Sequence, residues 1–316
     1  MRRTFGYIAL VVGLELIFLA PLLRWYSYPR VAKAPTDVSN ISISDGTGSY
    51  FSARTLQLVG PVPLRNVSVA KGEPKASNHD VAVISIFTRT YNVQTAGDID
   101  YTQDIYAMDR VSGYAVHCCG ERPRHVGLTL KFPFGTEKTK TYQFYDSTAH
   151  LAFPARYVDT ETVAGLKSYK FVSEVPPTLI ETMSFPGYLL QHPDEPNVTA
   201  LRYYQATTTL WVEPFTGAIL KAGQKSKQWV TDTAGSGQVT LADTDFLNTP
   251  ATVEDTARQI RTKFTQLKAV RDWLPIGGPI VGVLLVVVSL LVLLRPRRPA
   301  RTTVAGPGSV PAQTPA

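Results

Sequence analysis

Two uniform apolar runs bracket a long middle section in which apolar and polar positions alternate over short distances. The first run, Phe5 to Leu23, is interrupted by a single charge, Glu15. The second, Ile276 to Leu294, has no charge, and its only hydroxyl is Ser289. At helical rise, about 19 residues cover about 28 Å, close to the hydrocarbon thickness of a bilayer. A buried helix of a soluble protein rarely loses every polar face over that length. Both runs are therefore predicted to be membrane-spanning helices.

The middle reads as strands. Val81 to Val93, VAVISIFTRTYNV, is rich in β-branched and aromatic residues and lacks Pro and Gly. Ile41 to Val69 predicts strands broken by turns at Asp45-Gly46 and Gly60-Pro61-Val62-Pro63. Gln94 to Asp104 reads as a polar connection, and Ile105 to Met108 with Tyr114 to His117 as a hairpin. From Val126 to Phe132, Leu128, Leu130 and Phe132 alternate with Thr129 and Lys131, which predicts one buried and one wet face. Further strands are expected at 141–145, 151–157, 166–175, 202–212, 218–222, 227–233 and 238–242. Pro176 to Gly187 is expected to hold a short helix or an irregular crossing, and His192 to Asn197 a loop.

The last external element carries a different period. Thr249 can cap a helix and Pro250 fits its first position. Val253, Ala257, Ile260, Phe264 and Leu267 then recur at spacings of four and three, one apolar stripe. That stripe is expected to pack on the external domain rather than lie in lipid. The fold class is thus mainly antiparallel β with some α, a β-rich extracytoplasmic domain between two transmembrane helices. The expected divisions are a tail (1–4), a span (5–23), the external domain (24–248), a juxtamembrane helix (249–274), a second span (275–294) and a disordered tail (295–316).

Charge fixes the orientation. The net charge is +7, and Arg2, Arg3, Arg295, Arg297, Arg298 and Arg301 flank the two runs. Without those six about +1 remains, too balanced for a nucleic-acid footprint. Basic flanks mark the cytoplasmic side, so both termini are expected inside a plasma (inner) membrane and the middle outside. A retained first anchor is expected in preference to a cleaved signal peptide, whose apolar core is shorter. Arg24-Trp25-Tyr26 and Trp273 suit the headgroup level. Glu15 is the anomaly, because a carboxylate at mid-membrane depth is costly unless protonated, paired or facing protein.

Little in the chain suggests catalysis. The five histidines, His79, His117, His125, His150 and His192, show no metalloprotease spacing, and no phosphate-binding glycine loop or GxSxG elbow occurs. Acidic pairs such as Asp98/Asp100 and Asp243/Asp245 lie in polar stretches read as turns. No cofactor and no metal are expected, and the protein is read as a non-enzyme. Cys118 and Cys119 are the only cysteines. They can form a vicinal disulfide, pair with another chain, or stay as buried thiols.

Two strings carry a resemblance. Lys131-Phe132-Pro133-Phe134-Gly135-Thr136-Glu137-Lys138 with Thr141 to Asp146, and Leu210-Trp211-Val212-Glu213-Pro214-Phe215-Thr216-Gly217, resemble segments of the actinobacterial PorA-like family, as does the two-span layout. The resemblance implies a porin-like cell-envelope protein and brings no catalytic residues. The layout is also similar to that of class B scavenger receptors, whose β-rich ectodomain holds a lipid tunnel between two anchors. The expected function is binding or transfer of membrane lipids or envelope glycolipids, with Phe132, Phe134 and Trp211 as candidate cavity walls. The alternatives are a scaffold for other envelope-synthesis proteins and a pore.

Overall fold

The computed structural model describes residues 2–294, so the expected tail at 295–316 and its arginines lie outside the described residues. Two compact units are formed, one from the terminal segments and one from Tyr28–Ala269.

In the terminal unit, α1 (Arg2–Pro21) packs against α4 (Leu274–Leu294). Both belong to helical runs long and apolar enough to cross a membrane, Thr4–Val31 and Pro250–Leu294. Gly6, Gly13 and Ala20 are the buried positions of α1, spaced so that one face of the helix meets its partner. The Ser289 hydroxyl of α4 donates to the Gly6 carbonyl. Arg24 donates to the Arg271 carbonyl and pairs with Asp272 at 3.4 Å, so the cation beyond the first apolar run meets the acid before the second.

The larger unit is one ten-stranded antiparallel sheet. Its strands are β1 (Ser39–Ser52), β2 (Gln57–Gly72), β3 (Val81–Asn92), β4 (Asp98–Asp109), β5 (Tyr142–Asp146), β6 (Leu151–Val163), β7 (Leu166–Pro186), β8 (Asn197–Val212), β9 (Ile219–Asp232) and β10 (Gln238–Asn248). They lie in the order β4-β3-β2-β1-β10-β9-β8-β7-β6-β5. First and last strands pair, with Ser44 opposite Asn248 and Gly46 opposite Phe246. Two meanders are thereby joined back to back, and β4 and β5 become the edges. The sheet curls until those edges face each other: Tyr106 of β4 and Tyr145 of β5 place their ring centres 6.4 Å apart.

The segment 110–141 closes the seam. It bridges Met108 and Ile105 of β4 through Ala115 and Arg122, and Phe144 of β5 through Leu128. Unpaired edges invite aggregation, and here one connection covers both. Leu128 and Phe132 from this segment are fully buried with Tyr142, Phe171, Leu210 and Val212, forming the main core. A helix, α3 (Pro250–Lys268), starts from Thr249, whose hydroxyl accepts the Thr252 amide. Its Val253, Ala257 and Ile260 pack on Trp211, Leu220 and Val163, and burial of Val253 and Ile260 contributes about 2 kcal/mol each.

Four local expectations are corrected. Asp45-Gly46 is not a turn but the middle of β1. A Cβ at Gly46 would lie 2.0 Å from the Asp245 carbonyl oxygen, so this glycine serves close strand approach. The polar stretch through Asp98 and Asp104 is mostly β4, an edge strand that tolerates charge. Pro176 to Pro186 continues β7, with Pro176-Pro177 left unpaired where the register shifts between Val175 and Thr178. Val126 to Phe132 is no regular strand but makes isolated bridges at Leu128, and its supposed wet face is buried, with Thr129 at 5% and Lys131 at 8% exposure.

Candidate functional site

The two strings that carry the resemblance meet in space. Phe132 N donates to Gly217 O at 2.7 Å and Gly135 N to Phe215 O at 3.1 Å. Glu213, only 4% exposed, folds over its own turn and accepts from Phe215 N, Thr216 N and the Thr216 hydroxyl. Both oxygens of that buried carboxylate thus accept from the turn and fix its shape, and the two backbone bonds hold it against the seam segment.

The expected cavity walls occupy different environments. Phe132 is fully buried among Tyr142, Phe144 and Phe171, with ring centres 4.9 to 6.0 Å away. Trp211 lies beneath α3, its indole N–H donating to Glu161 at 2.7 Å and Lys221 and Lys170 over its ring. Phe134 is half-buried under the Lys131 ammonium, 4.3 Å from the ring centre. Phe132 thus belongs to the main core and Trp211 to the contact with α3. Burial pushes the Lys131 amine down to about 7, and Nζ donates to Val111 O at 2.8 Å.

The seam segment carries the densest polar cluster. Cys118 and Cys119 are joined by a disulfide. On one side of it His117 Nδ1 lies 3.1 Å from Glu121; on the other, His125 Nδ1 lies 3.1 Å from the same carboxylate. Burial pushes Glu121 upward, but the His125 backbone amide and the two imidazoles outweigh it and hold the carboxyl below its ordinary range. His125 is fully buried between the rings of Tyr106 (3.9 Å) and Tyr145 (4.8 Å), and burial lowers its imidazole pKa against the opposing pull of Glu121. The Glu121 carboxylate accepts from Nδ1, so that nitrogen carries a proton, while Nε2 is buried with no hydrogen-bond partner among the described residues. Among the described residues no three His, Cys, Asp or Glu side chains form a metal-holding group.

Two cavities accompany this framework. The smaller, about 190 Å³, lies under the seam and is lined by Tyr106, Phe144 and Tyr145 rings with Thr129, Asp146, Thr208 and Gln224. Asp146 accepts from the buried Tyr204 hydroxyl at 2.9 Å, and burial pushes that phenol far above its ordinary range. The larger, about 740 Å³, is an open groove crossing β6 to β10. Its apolar lining residues are Phe153, Pro154, Val175, Pro176 and Ala206; its polar ones include Arg156, Glu174, Gln205, Lys225, Lys227 and Asp243. Lys225 pairs with Asp245, while Arg156 and Lys227 make no ion pair among the described residues. The sequence hid this groove because it draws three residues from each of β6, β7, β8 and β9 and one from β10, none within a motif.

Glu15 is exposed on α1, away from the α4 contact. It takes no part in the helix pair.

Comparison with known proteins gives a consistent family. The profile of the family described as porin PorA matches residues 5–291. A protein of Corynebacterium amycolatum named porin PorA is 22% identical over 299 residues, covering 71% of this chain and 77% of that one. Among solved structures, a Bacteroides fragilis protein with a YmcC-like fold covers 68% of this chain and 96% of its own at 7% identity, with a TM-score of 0.18, too low to bear on the fold.

Proposed function

This chain belongs to the porin PorA family, and from that premise we propose that it is a non-enzymatic cell-envelope protein whose β domain binds or passes a lipid or glycolipid. The observation that carries the reading is the 740 Å³ groove, whose size is that of a ligand site and whose lining mixes apolar side chains with charged and hydrogen-bonding ones. An amphipathic ligand matches both: acyl methylenes gain about 0.8 kcal/mol each on burial, and a hydroxylated or anionic headgroup meets Gln205, Arg156 and Lys227. The arginine asymmetry supports a plasma-membrane protein with both termini cytoplasmic and the β domain outside.

The family's description favours a second reading, a pore. Against it, two helices cannot line an aqueous channel in one chain, and the curled sheet is filled by Phe132, Phe171 and Leu128. The experiment is photocrosslinking of the reconstituted full chain with a lipid analogue, beside planar-bilayer conductance. Crosslinks should map to β6, β8 and β9 and fall severalfold in an Arg156→Glu, Lys227→Glu variant. Conductance without groove crosslinks would replace this reading with the pore; neither signal would leave a scaffold.

A further inference from the structure

Glu15 sits near the middle of the first apolar run, with eight residues between it and Arg24. Nine helical steps span about 13 Å, far beyond the reach of a glutamate side chain, so it cannot rise to the headgroups at Arg24. The opposite end of the run is as distant. Gly13, buried against α4, is two positions away, which sets Glu15 about 200° round the helix, on the outer face. Ile8, Val11, Val12, Phe18 and Leu19, also exposed, surround it. The helix pair offers no partner: the only hydroxyl of α4, Ser289, is buried and bonded to Gly6 O. A charged group left unpaired in hydrocarbon is costly, and none of the described side chains of the helix pair offsets it.

We propose that Glu15 and the outer face of α1 are a docking surface for a membrane-spanning helix of another protein that carries a Lys, Arg or His at the same depth. The choice of occupant follows from charge. Neither apolar run of this chain contains a basic residue, so the runs of a second copy could offer Glu15 no opposite charge. A foreign basic residue would supply the opposite charge and the donors that a carboxylate accepts. The neighbouring side chains give such a helix a continuous apolar seam at i, i+3, i+4 and i+7 spacing. A single polar pair within a bilayer contributes on the order of 1–2 kcal/mol, enough to choose one partner among many apolar helices.

The test uses the full chain in lipid vesicles, donor-labelled, with acceptor-labelled leucine-rich transmembrane peptides that carry one central Lys or none. Energy transfer should favour the Lys peptide by about tenfold in apparent affinity. Glu15→Leu should abolish the preference and Glu15→Gln should weaken it, both with unchanged β-domain melting. Equal association of the two peptides with the wild type, or an undiminished preference in Glu15→Leu, would overturn the proposal. So would Glu15-dependent energy transfer between copies of the chain that ignores the Lys peptide, which would assign the surface to self-association.

Discussion

Gly13 of α1 and Gly282 of α4 touch backbone to backbone: a Cβ on Gly13 would lie 2.8 Å from the Gly282 carbonyl oxygen, and one on Gly282 would lie 2.6 Å from that of Gly13. In lipid no hydrophobic force drives helices together, and close packing of small residues is what remains. Here the obstacle on each side is main chain, which cannot swing aside.

Gly13→Leu should therefore separate the two helices while leaving the β domain folded. Cysteines introduced at Leu10 and Leu285, bridged with a short bifunctional maleimide and mapped by mass spectrometry, should lose most of their crosslink yield in the variant. Domain melting should not move. An unchanged yield would mean that the helices are held by something other than this glycine contact.

Cys118 and Cys119 are adjacent, so their disulfide closes almost no loop and restrains the unfolded chain very little. A Cys118→Ser, Cys119→Ser variant should lose less than about 1 kcal/mol of domain stability, by denaturant titration. Faster amide exchange is expected only around 117–125, where Glu121 ties His117 to His125. Collapse of the whole domain would show that the seam closure depends on the bond.

Periodicity exposed much of this architecture and composition concealed the rest. Val81 to Val93 was legible from its β-branched and aromatic run, which suits a strand paired on both sides, and the α3 stripe because its apolar positions all meet the sheet. β4 was hidden by its charges, which an edge strand tolerates: Asp98 pairs with Arg89 across the strand rather than facing the core. Gly46 read as a turn signal because sequence does not distinguish a glycine that bends the chain from one that lets strands approach. The core role of Lys131 was illegible for a related reason. Its amine is satisfied by Val111, some 20 residues back, and by the Phe134 ring, a combination that exists only once the seam segment has folded. The groove had no local signal at all.

His192 and Asp232 tie the turn after β7 to the β9–β10 hairpin, with Nε2 and Oδ2 3.0 Å apart. Asp232 also accepts from the Ser236 and Gly237 amides. The bond to Asp232 raises the His192 imidazole above its ordinary value, and the bond to His192 pulls Asp232 down to about 2. A raised histidine stabilises below its unfolded value near 6.5 and loses that contribution as pH climbs through the folded one. A lowered aspartate stabilises above its unfolded value near 3.9 and loses it as pH falls toward about 2. The pair should therefore help most between about pH 4 and 6.5. In a His192→Ala variant the melting temperature should fall most in that window and converge on wild type at alkaline pH. Asp232→Asn should cost more, because the hairpin turn also loses its charged acceptor. A loss that does not vary with pH would show that the contact acts through packing alone.

Lys131 offers the sharpest test of the seam. Its side chain is 8% exposed, burial pushes its amine down to about 7, and the nearby Asp109 carboxylate raises it only in part. Below about pH 7 the folded domain holds a buried charge, at full desolvation cost. Between about 7 and the ordinary lysine value of 10.5 the unfolded chain binds a proton that the folded chain has released, so stability should rise with pH across that interval. Lys131→Met keeps the length and apolar stem and removes the titration. The Val111 carbonyl is not orphaned, since the Phe134 amide also donates to it at 3.3 Å. The variant should be more stable than wild type at pH 6, by an amount on the order of a few kcal/mol at most. The advantage should shrink steadily toward pH 9, where the wild-type amine is neutral and still bonded to Val111. Denaturant melts at pH 6, 7.5 and 9 read this directly. If Lys131→Met were destabilised equally at all three, the ammonium over Phe134 would contribute more than its burial costs, and the seam would be held by that charge.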